Sequence, residues 1–105
     1  MHEIDLDSFA TAHAAGGIVV DVREREEYVA GHVPGARLMP LSRLGALAAE
    51  VPGGQPVYVI CASGNRSKAG AGLLAQRGIE AYSVAGGTGG WARTGRPIVT
   101  GTNER

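Results

Sequence analysis

The chain has 105 residues, which suffice for one compact domain but leave no room for a second hydrophobic core. Ten Lys and Arg residues balance ten Asp and Glu residues, so no overall field favours nucleic acid or an anionic membrane. The single cysteine excludes an internal disulfide, the three histidines lack metal-ligand spacing, and no stretch approaches the ~20 apolar residues that span a bilayer.

Short β-rich runs alternate with helical stretches at intervals of about twenty residues, which predicts a three-layer α/β domain with a mainly parallel sheet. The predicted strands are 18–21, 37–39, 57–60 and 81–85. The predicted helices are 8–15, 24–29, 42–50 with Ser42 as its cap, 67–77, and a short one around Trp91. We assign residues 1–99 to the domain and residues 100–105 to a polar tail.

The strongest candidate for chemistry is the loop after the strand at 57–60, which starts at Cys61. A cysteine is nucleophilic as the thiolate, so a reactive one needs surroundings that lower its pKa. Gly64 allows the loop amides to turn inward, and a helix beginning near Ser67 directs its positive end at the loop. Arg66 and Lys68 add cationic charge. Together these features favour a thiolate or an anionic substrate.

A lone cysteine at a strand end can instead be a small buried apolar residue. The polar, cationic segment behind Cys61 argues against that interpretation. Its position argues the same way, because ligands of open α/β sheets bind beyond the carboxyl ends of the strands.

The chain resembles the single-domain rhodaneses, whose active-site loop often reads Cys-x-x-Gly-x-Arg-Ser. Here the loop reads Cys61-Ala62-Ser63-Gly64-Asn65-Arg66-Ser67. The likeness extends to the segments 20–23, 27–28, 31–36 and 86–87, and to Trp91. The resemblance implies a three-layer α/β/α domain with a mainly parallel five-stranded sheet.

The resemblance also implies a sulfurtransferase that carries sulfur as a persulfide on Cys61. The donor is then thiosulfate or another small sulfur-containing anion, and the acceptor is a small-molecule or protein thiol or another thiophile. No metal or organic cofactor is implied. Arg66 would orient the donor, and the substrate-binding residues would be Ala62, Ser63, Gly64, Asn65 and Ser67. Ala62 replaces a longer polar or basic side chain of many relatives, which bears on donor preference.

Three further polar residues are candidates for supporting roles. Asp21 and Arg23 follow the strand at 18–21, on the side of the sheet where the loop is expected. We expect Asp21 to accept loop amides, Arg23 to pair with a carboxylate such as Glu27, and His32 to fix a turn by hydrogen bonding.

Two other functions are alternatives. A non-catalytic persulfide carrier or partner-binding module of the same fold would keep Cys61 without turnover. A cysteine phosphatase or arsenate reductase needs a longer spacing between its Cys and Arg to encircle a tetrahedral oxyanion, whereas four residues intervene here. With no signal peptide evident at the N-terminus, we expect a cytoplasmic protein that binds neither nucleic acid nor membrane.

Overall fold

The structure is a computed structural model and describes residues 2–105. Its centre is a five-stranded sheet in which every pair of neighbouring strands is parallel. The strands, in chain order, are β1 (His2–Ile4), β2 (Ile18–Asp21), β3 (Arg37–Leu38), β4 (Val57–Ile60) and β5 (Ala81–Val84). Their order across the sheet is β1-β5-β4-β2-β3, so β4 lies in the middle.

Helices cover both faces of this sheet. They are α1 (Leu6–Ala14), α2 (Arg25–Ala30), α3 (Leu41–Leu47), α4 (Asn65–Gln76) and α5 (Gly87–Arg93), with a 3₁₀ turn at Ala48–Glu50. Helices α3 and α4 pack against each other, and α1 contacts α5. The predicted α/β/α layering is therefore confirmed.

The alternation of side chains along β4 produces two separate apolar cores. Val57 and Val59 belong to a cluster with Leu74 of α4, whereas Ile60 belongs to a second cluster with Phe9 of α1. Successive residues of a strand point to opposite faces, so a continuous apolar run is what a strand buried on both faces requires. Central position and double burial fix the end of β4, and with it Cys61, firmly in place.

Strand β1 was not predicted. It pairs with β5 at the edge of the sheet, with His2 beside Tyr82 and Ile4 beside Val84. Its residues are exposed or partly exposed and lack an apolar run, so only the tertiary pairing with β5 makes them a strand.

Three helices begin earlier than or differently from the prediction. Helix α1 starts at Leu6 because the Asp5 carboxylate accepts the Ser8 N–H at 2.7 Å. Helix α3 starts at Leu41 after Pro40, so Ser42 is inside the helix and is not its cap. Helix α4 starts at Asn65, two residues before Ser67. The last difference changes the geometry of the Cys61 loop.

The polar tail lies against the domain. The backbone N–H of Gly101 donates to the Val29 oxygen at 2.9 Å, and that of Gly35 donates to the Glu104 oxygen at 2.7 Å. Within residues 2–105, no helix is long and apolar enough to cross a membrane.

Candidate active site

Cys61 follows the last residue of β4, and only Ala62, Ser63 and Gly64 separate it from the start of α4. Gly64 has φ +111, a left-handed conformation that residues with a Cβ rarely adopt. This glycine turns the chain back so that the first turn of α4 faces the cysteine. Asn65, Arg66 and Ser67 are therefore helical residues.

The Cys61 sulfur is buried yet surrounded by hydrogen-bonding groups. The side chain is 1% exposed and contacts the apolar cluster beneath the sheet. The Gly64 N–H donates to Sγ at 3.1 Å, and the Ser67 hydroxyl lies 3.4 Å from it. The loop is turned inward, unlike a loop beside a purely structural cysteine.

Two opposing effects act on the pKa of the Cys61 thiol. Burial raises it, because a charged sulfur loses contact with water. Hydrogen bonds from the Ser67 hydroxyl and from the backbone of Ser67, Gly64 and Ser63 lower it. The hydrogen bonds outweigh burial, so the pKa of Cys61 lies below its ordinary value.

The hydroxyl of Ser83 forms a hydrogen bond with the hydroxyl of Ser67. The Ser67 and Ser83 oxygens are 2.7 Å apart, and both side chains are fully buried. When Ser67 donates to a thiolate, its oxygen is free to accept the Ser83 proton. Ser83 was not among the predicted site residues, although a small polar residue within the apolar strand β5 was a signal for it.

Helix α5 holds the other side of the loop. The backbone N–H of Thr88 donates to the Cys61 oxygen at 2.8 Å, and that of Gly89 donates to the Ala62 oxygen at 3.0 Å. A Cβ at Gly87 would come within 2.5 Å of the Cys61 oxygen, so only glycine permits this approach. With its carbonyls bound to α5, the loop directs its amides at the sulfur.

Arg66 forms an ion pair that was not expected. Its two terminal nitrogens donate to the two carboxylate oxygens of Glu27 at 2.7 and 2.8 Å. Arg23 pairs with a nearby carboxylate, as expected, but its partner is Asp21, two residues earlier in the chain, and not Glu27. The sequence therefore did not predict that Glu27 lies beside the Cys61 loop.

Asp21 and Arg23 form a buried pair beside the loop. Arg23 Nη2 lies 2.9 Å from Asp21 Oδ2, and the backbone N–H of Arg23 donates to Asp21 Oδ1 at 3.0 Å. Asp21 thus accepts an amide of its own strand end, with no hydrogen bond to residues 61–67. Arg23 also donates to the Gly31 oxygen at 2.7 Å, which ties β2 to the turn after α2.

His32 is fully buried within that turn. Its Nδ1 lies 2.9 Å from the Tyr28 oxygen and its Nε2 lies 2.8 Å from the Asn103 oxygen. The ring also stacks on that of Tyr28 at 3.7 Å. These contacts are those of a residue that fixes the turn and the tail, and none reaches Cys61.

The remaining predicted loop residues differ in what they contribute. The side chains of Ser63 and Asn65 are exposed and make no hydrogen bond within residues 2–105. Ser63 acts on the sulfur through its backbone N–H. Ala62 lines a cavity of 350 Å³ outside the loop. Among residues 2–105, no group of three or more His, Cys, Asp or Glu side chains is placed so that it could hold a metal ion.

Comparison with known proteins decides the family. Residues 5–94 match the model of the rhodanese-like domain, which is most of the chain. The chain belongs to the rhodanese-like domain family. A crystal structure of a rhodanese-related protein from Thermoplasma volcanium is 31% identical, with a TM-score of 0.88 over 94% of this chain and 98% of that one.

Two other rhodanese structures are similar. A rhodanese-like domain protein from Staphylococcus aureus is 30% identical, with a TM-score of 0.80 over 87% of this chain and 91% of that one. A rhodanese homologue from Thermus thermophilus is 26% identical, with a TM-score of 0.66 over 85% and 99% of the two chains. The resemblance of the Cys61 loop to rhodanese loops is thus part of a likeness of the whole domain.

Proposed function

We propose that this rhodanese-like domain is a sulfurtransferase, which moves sulfane sulfur from thiosulfate or a similar donor to a thiophilic acceptor through a persulfide on Cys61. The observation that carries the proposal is the hydrogen-bonded sulfur, with the Gly64 N–H 3.1 Å from Sγ. A cysteine that served only as a small apolar residue would need no such groups around it. The family supports the same chemistry.

In the first half-reaction, the Cys61 thiolate attacks the outer sulfur of the donor. A bond forms between Sγ and that sulfur, the donor's S–S bond breaks, and sulfite leaves with the electron pair when the donor is thiosulfate. The cradle for the transferred sulfur would be the backbone of residues 62–67. Two N–H groups of Arg66 donate to Glu27, and the remaining N–H groups of its guanidinium would orient the donor.

In the second half-reaction, a thiophile such as cyanide or a thiol attacks the outer sulfur of the persulfide. The S–S bond breaks, and the Cys61 thiolate is the leaving group. The same hydrogen bonds from Gly64 and Ser67 stabilise it, so one arrangement assists both steps. Neither step needs a metal or an organic cofactor.

Asp21, Arg23 and His32 would act through the scaffold. The Asp21–Arg23 pair fixes the end of β2 beside β4, and His32 fixes the turn that Arg23 also contacts. Their loss would lower activity by way of the fold.

The test is the mass of the purified protein after exposure to thiosulfate. We expect a gain of one sulfur atom, its loss on addition of cyanide with formation of thiocyanate, and no gain in Cys61→Ser. A persulfide that forms but resists cyanide and thiols would contradict transferase activity and favour a carrier. Absence of any gain in the wild-type protein with several donors would contradict the proposal altogether.

A further inference from the structure

The charge of Arg66 is already balanced before any substrate arrives. Arg66 is the only cationic residue of the segment 61–67, and both its terminal nitrogens contact the Glu27 carboxylate. A bidentate pair of this kind is short and directional. The Arg66 side chain is 40% exposed, so the pair lies at the surface where a donor would approach.

Glu27 is fixed in this position by helix α2 as well as by Arg66. Its carboxylate accepts the backbone N–H of Glu24 at 3.1 Å, as part of the capping box that begins the helix. The hydrogen bond to Arg66 is the main reason that the pKa of Glu27 falls to about 2. Glu27 is therefore negatively charged at any pH at which a thiolate exists.

Two other cations near the loop are also paired with carboxylates. Arg23 pairs with Asp21, and Lys68 lies 3.6 Å from a Glu3 carboxylate oxygen. Arg93 has no carboxylate partner among the described residues; its Nη1 lies 3.3 Å from where a Cβ of Gly89 would stand, and it does not line the cavity beside Ala62. On the side of the loop formed by Arg66 and Arg23, a doubly charged donor thus meets balanced ion pairs and a thiolate that repels it.

The cavity beside the loop is suited to an organic group. Its volume is 350 Å³, and its wall includes the uncharged side chains of Ala62, Ala92 and Ile98. Glu27 and Arg23 are the charged residues that line it. Ile98 is 36% exposed, the only large apolar side chain of residues 2–105 that is exposed to this extent. An apolar substituent of a donor would cover it.

We propose that Glu27 is a specificity-determining residue, which makes the site favour singly charged organic sulfane donors of the thiosulfonate type over doubly charged thiosulfate. The proposal builds on the sulfurtransferase function above. In the step it favours, Sγ forms a bond with the terminal sulfur of R–SO₂–S⁻, whose S–S bond breaks. The electron pair leaves on the sulfinate R–SO₂⁻, so charge and atoms balance without a proton or an oxidant.

The experiment compares two donors that react alike and differ in charge, methanethiosulfonate and thiosulfate. The rate constant of Cys61 persulfidation is measured for each with the wild-type protein, with Glu27→Gln and with Glu26→Gln. Glutamine keeps the capping hydrogen bond and removes the charge. Glu26 is an exposed carboxylate of the same helix, without an ion pair among the described residues, and controls for net charge.

We expect Glu27→Gln to raise the rate constant of persulfidation by about threefold with methanethiosulfonate and by about tenfold with thiosulfate. The reason is that the Coulomb energy of repulsion from Glu27 is proportional to the charge of the donor. Glu26→Gln should change neither. Equal factors for the two donors in Glu27→Gln, or the same effect in Glu26→Gln, would overturn the assignment of Glu27 while leaving the sulfurtransferase function intact. No persulfide with either donor in the wild-type protein would overturn that function, and this inference with it.

A measurement on the wild-type protein keeps the test independent of the folding of the variant. With balanced ion pairs, the rate with thiosulfate should stay level or rise as salt screens its repulsion from the thiolate. A rate that falls steeply with added salt would reveal an uncompensated cation at the site, and would contradict the role given to Glu27.

Discussion

At the scale of the residue, the reactivity of Cys61 depends on a balance between burial and hydrogen bonding. Burial opposes a charged sulfur, and a thiol enclosed by hydrocarbon alone would have a raised pKa. The Ser67 hydroxyl and the amides of Ser67, Gly64 and Ser63 reverse this effect. The sulfur is thereby kept away from water and still surrounded by groups that favour its charged form, as the proposed persulfide chemistry requires.

Ser67→Ala should raise the pKa of the Cys61 thiol, because it removes a hydrogen bond that favours the charged form. The rate of alkylation of Cys61 rises with pH through the thiol pKa, so the whole curve should move to higher pH. At neutral pH the rate should fall several-fold. Thiolate absorbance and iodoacetamide alkylation measured against pH both report this change.

Ser83→Ala provides the matched variant. Ser83 reaches Sγ only through Ser67, so its removal should shift the curve in the same direction and by less. In the double variant with Ser67→Ala, the effect of Ser83 should disappear. An undiminished effect of Ser83→Ala in that background would mean that it acts through packing.

At the scale of the element, two helices hold opposite sides of one loop. The first turn of α4 and the loop residues just before it provide amides to the sulfur, and helix α5 binds the carbonyls of Cys61 and Ala62. Consecutive peptide groups can direct their amides at the sulfur and their carbonyls at α5 only if the chain turns tightly. Glycine makes such turns possible. Gly64 and Gly87 both have positive φ, at +111 and +57.

The same substitution should have opposite effects at two glycines of these helices. At Gly72, inside α4, an added Cβ meets nothing within 4 Å, so Gly72→Ala should stabilise the protein by ~0.5–1 kcal/mol through helix propensity. At Gly87 the Cβ would lie 2.6 Å from the Ala62 oxygen in a left-handed conformation, so Gly87→Ala should cost ~1–3 kcal/mol.

Chemical denaturation of both variants measures these free energies of unfolding. Gly87→Ala should also slow persulfidation of Cys61, since it moves α5 away from the loop, whereas Gly72→Ala should leave the rate unchanged. A Gly87→Ala protein as stable and as reactive as the wild type would show that α5 does not hold the loop.

At the scale of the whole molecule, the site lies at the carboxyl end of the central strand. Strand β4 is flanked by β2 and β5, and both of its faces are covered by helices. The ends of these neighbours contribute the Asp21–Arg23 pair on one side, and the start of α5 on the other. Ligands of open α/β sheets bind at this edge because loops from several strands converge there.

The C-terminal tail belongs to this larger framework. Residues 101–104 form hydrogen bonds with the end of α2 and the turn after it, including the contact of the Asn103 oxygen with buried His32. Removal of residues 100–105 should therefore lower the free energy of unfolding by ~1–2 kcal/mol, about the net value of two or three hydrogen bonds. Thermal unfolding of the shortened chain against the full chain measures it, and an unchanged midpoint would contradict a structural role for the tail.

The sequence by itself determined the layering of the domain, the central strand and the identity of the candidate nucleophile. These follow from local patterns, since Val57 to Ile60 are apolar without interruption and a glycine-containing polar loop comes directly after them. The start of α4 was placed two residues too late, because Asn65 and Arg66 are polar and their helical conformation depends on the left-handed Gly64.

Only the tertiary structure decided which distant groups meet at the loop. The pair of Arg66 with Glu27, the contact of Ser67 with Ser83 and the strand at His2–Ile4 each join parts of the chain that are far apart in sequence. Charge and hydrogen-bonding capacity can be read from a residue's type, but its partner is set by the packing of helices and strands. Cys61 could therefore be predicted as the candidate nucleophile, whereas the partners of Arg66 and Ser67 could not be predicted.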